Sequence, residues 1–146
     1  MESGLSFLDE VKKQFDCEDM DIRTYSPLTL AFLGDCVYDL IIRTVVVCRK
    51  NRATNDLHKK KSKVVKAETQ ARMIEALMEH LTEEELGYFK RGRNAKSYTP
   101  AKNASLGDYK KSTGFEALIG FLYLTNQMDR ILELTTLGLE LVNVEI

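Results

Sequence analysis

Residues 26–50, S-P-L-T-L-A-F-L-G-D-C-V-Y-D-L-I-I-R-T-V-V-V-C-R-K, leave the rest of the chain few options. Ser26 before Pro27 reads as a helix N-cap with proline at the first helical position, where its missing N–H costs nothing. Leu28, Leu30, Phe32, Leu33, Val37, Leu40, Ile41, Val45 and Val46 then follow almost without pause. A helix apolar on nearly every side belongs in the middle of a domain or at an interface. Gly34-Asp35 is the oddity within it. Glycine weakens a helix interior by roughly 0.5–1 kcal/mol relative to alanine, so something should need the backbone bare there. A buried carboxylate needs a partner, and a metal ion is one candidate beside Arg43, a lysine or the backbone. We take Asp35 as a candidate catalytic metal ligand.

The remaining periodicity is helical. Leu5, Leu8, Val11 and Phe15 predict a short amphipathic helix, and residues 17–25 a connector rich in acids. Residues 55–81 keep a helical period as one helix or as two with a bend. Thr82 to Glu85 spells a capping box for a helix running through Phe89 and fading near Asn94. Residues 95–111 have no apolar period and read as a loop longer than a domain keeps without a use. Ser112 then caps a helix over residues 113–126, and a last helix spans about 129–144. No stretch alternates strictly enough for a strand, so the expectation is an all-α helical bundle, a single domain over residues 1–146.

The net charge of −1 hides an uneven distribution. Residues 49–66 carry eight basic side chains against Asp56 alone, and residues 90–111 carry seven against Asp108 alone. Two basic segments on an acidic body point to a polyanion. In the second segment Lys90, Arg91, Arg93 and Lys96, with the donors Asn94, Ser97, Thr99, Lys102 and Asn103, suit a chain laid along duplex RNA and reading phosphates, 2′-hydroxyls and shape. A merely solvated loop would mix its signs. The first segment, Lys59 to Lys66, spreads its lysines around a helix, and its contact with RNA stays open.

Other chemistries find no support. Residues 87–93 imitate part of a phosphate loop but lack its Lys-Ser/Thr ending and a preceding strand. His58 and His80 stand alone. Cys17, Cys36 and Cys48 form no C-x-x-C and read as buried free thiols in a reducing compartment. With no signal peptide and no unbroken apolar run of about 20 residues, the expectation is a cytoplasmic protein without a membrane partner.

L-A-F-L-G-D-C-V-Y-D-L, residues 30–40, resembles the signature helix of ribonuclease III catalytic domains, and S-T-G-F-E-A-L-I-G-F-L-Y-L, residues 112–124, resembles their second catalytic helix. Between them K-R-G-R-N-A-K-S, residues 90–97, resembles a motif of the mini-ribonuclease III subfamily, which has the catalytic domain without the double-stranded-RNA-binding domain. The resemblance covers roughly residues 27–127. It implies a ribonuclease III-type fold, a homodimer, and a Mg²⁺-dependent endoribonuclease (Mn²⁺ as substitute) that cuts double-stranded RNA, with maturation of 23S ribosomal RNA precursor ends as its role.

On that resemblance Asp35 and Glu116 are the catalytic and metal-holding pair, because phosphodiester hydrolysis needs an activated water and relief of phosphate charge. The larger enzymes carry further acids at the positions of Leu28, Ala31 and Thr113, and that thinning is typical of the mini subfamily. The bland reading of Glu116 is a first-turn acid at the positive end of its helix. Asp39, one turn after Asp35, reads equally as a holder of a water or a basic residue and as a plain exposed acid. Thr113 could steady a water through its hydroxyl, but an ordinary helix-start residue suits it better. The missing acids also keep two rivals in view: a non-catalytic RNA-binding or ribosome-assembly factor on a ribonuclease III-like fold, and a helical interaction dimer with an acidic protein partner.

Overall fold

The computed structural model describes residues 4–51, 53–96 and 105–146. Among them there are seven α-helices and no strand: α1 Phe7–Gln14, α2 Pro27–Arg49, α3 Thr54–Val65, α4 Ala67–Leu77, α5 Glu83–Asn94, α6 Leu106–Leu124 and α7 Met128–Leu141. Two 3₁₀ turns, Ile22–Thr24 and Met78–His80, complete the order. None of the described helices is long and apolar enough to cross a membrane.

Local chemistry sets most boundaries. Ser26 caps α2 by accepting from the Thr29 N–H at 3.1 Å, with Pro27 in the first turn. Thr82 and Glu85 form the reciprocal capping box at α5. The Glu85 carboxylate also meets Arg130 of α7 at two points, 2.8 and 2.9 Å, tying the start of α5 to the last helix. Helices α6 and α7 end on Asn126 and Asn143, both with positive φ. The Gln127 N–H returns to Leu122 O and the Val144 N–H to Leu139 O, the bonding pattern of a Schellman close.

One open alternative is decided and two expectations need correction. Residues 54–77 form two helices rather than one, because Lys66 is extended and side chains of the following turn close α3 from outside: Thr69 Oγ1 donates to Lys63 O at 2.6 Å and Gln70 Nε2 to Val65 O at 2.7 Å. Helix α6 begins at Leu106, with Ser105 as its cap, so residues 106–111 are helical rather than loop and Ser112 lies inside the helix. The polar composition of residues 105–111 hid that first stretch, since its side chains are exposed or half-buried and need no apolar period until Ser112. Finally, all three cysteines are exposed free thiols, not buried ones.

The hub of the bundle is α6, which buries nearly everything from Ser112 to Leu122 against α2, α4 and α5. Helix α2 lies beside it, with Leu30, Val37, Tyr38, Ile42 and Val46 inward. Its outer side is apolar and bare: Phe32 is 83% exposed and Leu40 60%. Of the two readings open to α2, core or interface, the structure therefore gives it one face of each. Tyr38 joins three elements, standing edge-on to Phe115 at 5.2 Å while its hydroxyl donates to Val64 O at 3.2 Å.

Candidate active site

The site is made by an unusually close helix crossing. A Cβ on Gly34 would fall onto the Glu116 carbonyl and lie 2.7 Å from the Gly120 N; one on Gly120 would fall onto the Leu30 carbonyl. Only bare backbone on both sides lets α2 and α6 approach this far. Asp35 follows Gly34 directly, so the same contact that demands glycine carries its carboxyl to that of Glu116. The two acids interact directly.

Their surroundings differ. Asp35 is exposed, contrary to the expectation of a buried acid, and opens onto a shallow depression of about 490 Å³ with Phe32, Leu33, Cys36 and Asp39. No basic side chain pairs with it among the described residues. Arg43, the alternative partner, turns instead to Asp39. Glu116 is half-buried and sits ten residues into α6, not in its first turn, so a dipole role is ruled out for it. Its Oε2 lies 3.4 Å from Gln70 Nε2, and Gln70 Oε1 accepts from the Ser112 hydroxyl at 3.1 Å. Sequence reasoning missed both Gln70 and Ser112. The one available signal was a glutamine at an inward register of α4.

Burial pushes the Glu116 carboxyl up to about 8, with the Asp35 charge and the contact between the carboxyls acting the same way and the Gln70 hydrogen bond opposing. An acid whose proton affinity is raised by folding contributes stability that is fully present below its unfolded titration near 4.5 and lost as pH rises through about 8. Metal-free protein should therefore lose stability across that window, by up to about 1.4 kcal/mol per pH unit from this group. Glu116→Gln should flatten the decline. Urea unfolding in EDTA at several pH values between 5 and 9 checks both.

Two adjacent carboxylates, one holding its proton unusually tightly, fit a cation that would replace that proton. Among the described residues no cluster of three or more His, Cys, Asp or Glu side chains could hold a metal. A pair of carboxylates suits Mg²⁺, which commonly keeps several waters and takes substrate phosphate oxygens for its remaining positions.

The other expected residues divide. Asp39 holds basic residues, accepting from Arg43 Nε at 2.8 Å and from Lys61 Nζ at 3.2 Å. Thr113 is not at a helix start: it is buried inside α6 and its hydroxyl donates to Tyr109 O at 3.0 Å, the back-bond of an interior helical threonine. Lys90, Arg91, Asn94 and Lys96 are exposed at the end of α5 and just beyond. Arg91 lies over the Tyr88 ring at 4.1 Å; Arg93 lies over Phe89 at 5.5 Å and donates to Asn94 Oδ1 at 3.1 Å. None of these four cations pairs with an acid among the described residues. Ser97, Thr99, Lys102 and Asn103 lie outside the described residues. In the Lys59–Lys66 segment Lys61 is bound to Asp39 and Lys66 approaches Glu68 at 3.6 Å, while Lys59, Lys60 and Lys63 are exposed.

Known proteins are similar to this chain in sequence and in fold. The family model of the ribonuclease III domain matches residues 28–127, which include both carboxylates and both crossing glycines. A mini-ribonuclease 3 from Clostridium tetani is 47% identical over 122 residues, covering 83% of this chain and 81% of its own length. Another from Staphylococcus aureus is 44% identical over 128 residues, covering 86% and 96%. The crystal structure of a Fusobacterium nucleatum protein, 31% identical, matches with a TM-score of 0.76 over 84% of this chain and 98% of that one.

Proposed function

Because this chain belongs to the mini-ribonuclease 3 branch of the ribonuclease III family and is an endoribonuclease, we propose that it cleaves double-stranded RNA at a divalent-metal site held by Asp35 and Glu116. The observation that carries this reading is the meeting of those two carboxyls at the bare Gly34–Gly120 crossing. The non-catalytic assembly factor and the protein-interaction dimer are set aside with family membership.

Held by Asp35 and Glu116, Mg²⁺, or Mn²⁺ in its place, would supply Lewis-acid polarisation of the scissile phosphate and would lower the pKa of an attacking water. The chain does the rest. Asp35, exposed and without a basic partner among the described residues, offers its carboxylate from the substrate side. Glu116 offers its own from the buried side, already oriented by the helix crossing. Lys90, Arg91, Arg93, Asn94 and Lys96 grip flanking phosphates, and Ser97, Thr99, Lys102 and Asn103 continue that strip in sequence. Arg91 and Arg93, resting on aromatic rings, have less freedom to lose when RNA binds.

The bare apolar side of α2, with Phe32 and Leu40, pairs with a second copy. Two sites across such a dimer would cut the two strands with a stagger. The substrate we infer is a structured ribosomal RNA precursor, the 23S precursor ends in particular, in a bacterial cytoplasm whose reducing conditions suit three exposed thiols. The test is incubation of pure protein with such a precursor in Mg²⁺ and in EDTA, with both product ends mapped. Staggered cuts within duplex, absent in EDTA and absent from single-stranded RNA, are expected. Metal-independent or single-strand cleavage would overturn the reading.

A further inference from the structure

We propose that Gln70 is a positioning residue of the metal site, holding one oxygen of the Glu116 carboxylate with a neutral donor so that the other oxygen is left to the cation. The inference rests on the assignment of Glu116 as a metal ligand and adds to it how that ligand is aimed.

Gln70 stands in the first turn of α4 and is 1% exposed. A carboxamide buried this far is costly unless its hydrogen bonds are made, and those of Gln70 run to three places. The end bonded to Val65 O at 2.7 Å must be the amine, since a carbonyl can only accept. That assignment leaves Oε1 for Ser112, whose hydroxyl donates at 3.1 Å, and aims the second amine hydrogen toward Glu116 Oε2 at 3.4 Å. Ser112 and Glu116 are one turn apart on α6, so the carboxamide spans that turn and is anchored at both ends.

Closing α3 alone does not require this arrangement. Thr69 already caps Lys63 O, and one N–H would suffice for Val65 O. The anchor at Ser112 and the approach to Glu116 remain to be explained, and both act on the same carboxylate. The charge of the donor matters as well. A lysine or arginine here would neutralise Glu116 and compete with the cation. Arg43 of α2 and Lys61 of α3 are instead bound to Asp39. A neutral amide orients the carboxylate without lowering its affinity for a metal, the usual division of labour between a ligand and its supporting partner.

The test replaces Gln70 with methionine, which keeps length and bulk but donates nothing. In Gln70→Met the Mg²⁺ concentration giving half-maximal cleavage should rise by roughly tenfold, and the affinity for Mn²⁺ without RNA, read by electron paramagnetic resonance, should fall in parallel. Duplex RNA affinity in EDTA should be unchanged. A purely structural glutamine would lower the metal-free Tm and scale activity down at every metal concentration, with neither midpoint moved; that result overturns the proposal. If Gln70→Met does not fold, the same titrations on Ser112→Ala, which frees only the anchor of Oε1, should show a shift of about threefold in the same direction, and no shift there overturns it. Glu116→Gln, measured alongside, separates the two levels. Near-normal cleavage by that variant would remove Glu116 itself, whereas a dead Glu116→Gln beside unmoved metal midpoints in Gln70→Met would remove only the role of Gln70.

Discussion

Asp35→Asn is expected to abolish Mg²⁺-dependent cleavage while leaving the fold and RNA binding intact. The substitution is nearly isosteric. Because Asp35 is exposed and pairs with no basic side chain among the described residues, little structural support goes with its charge. What goes is half of the anionic pair that would hold the cation. Loss of several kcal/mol of transition-state stabilisation from the metal corresponds to a rate reduced by about 10³-fold or more. Affinity for duplex RNA should stay within about threefold, with the same steep fall as salt rises, because the proposed phosphate contacts come from the basic residues Lys90 to Lys96 and not from Asp35. The variant should also release Glu116 from the neighbouring charge that helps raise its proton affinity, so the pH-dependent loss of metal-free stability should shrink. Single-turnover cleavage at saturating Mg²⁺, paired with filter binding in EDTA, checks the result. Cleavage within tenfold of the parent would remove Asp35 from the chemistry.

The second large effect is structural in origin and catalytic in consequence. Gly34→Ala would normally help a helix by up to about 1 kcal/mol. Here the new methyl meets the backbone of Glu116, 2.8 Å from its carbonyl carbon, and backbone cannot rotate aside as a side chain would. Helices α2 and α6 must separate, loosening the packing of the hub. Overpacking of this kind costs about 1–3 kcal/mol and occasionally more. Even after the propensity gain, a drop in Tm of about 5 °C or more is expected. Cleavage should fall by about 10²-fold even well below the new Tm, because the same separation draws Asp35 from Glu116 and such sites lose rate steeply with displacements near 1 Å. Gly87→Ala on α5 is the control. Nothing lies within 4 Å of its Cβ position, so stability should be unchanged or slightly raised. Thermal melts and single-turnover rates on the three proteins decide it. A Gly34→Ala protein as stable and active as Gly87→Ala would mean that the crossing tolerates a side chain.

Several parts of this protein are written in local chemistry and could be read there. Ser26-Pro27 and the Thr82–Glu85 box state where two helices begin, because caps act through hydrogen bonds three residues away. Gly34 announced a close approach, since nothing else justifies glycine in so apolar a helix. The likeness to ribonuclease III domains singled out Asp35 and Glu116 as a candidate pair, and the structure brings their carboxyls into contact.

What remained hidden depends on atoms distant in the chain. The start of α6 escaped because a helix turn whose side chains are exposed or half-buried needs no apolar period. The exposure of the cysteines and of Phe32 escaped because α2 is covered on only one side, and periodicity cannot tell a core from a surface awaiting a partner. Gln70 escaped most completely: 46 residues separate it from Glu116, and its role exists only where α3, α4 and α6 meet. By itself, then, the sequence determined the all-helical class, the caps of α2 and α5 and the need for bare backbone at Gly34, all of which follow from neighbours a turn or less away and from the residue types themselves, while the choice of the two acids came from the family likeness. Only the tertiary structure decided which acid is exposed, which is half-buried beside it, and which neutral side chain steadies it, because burial and hydrogen bonding across helices are properties of the packed assembly.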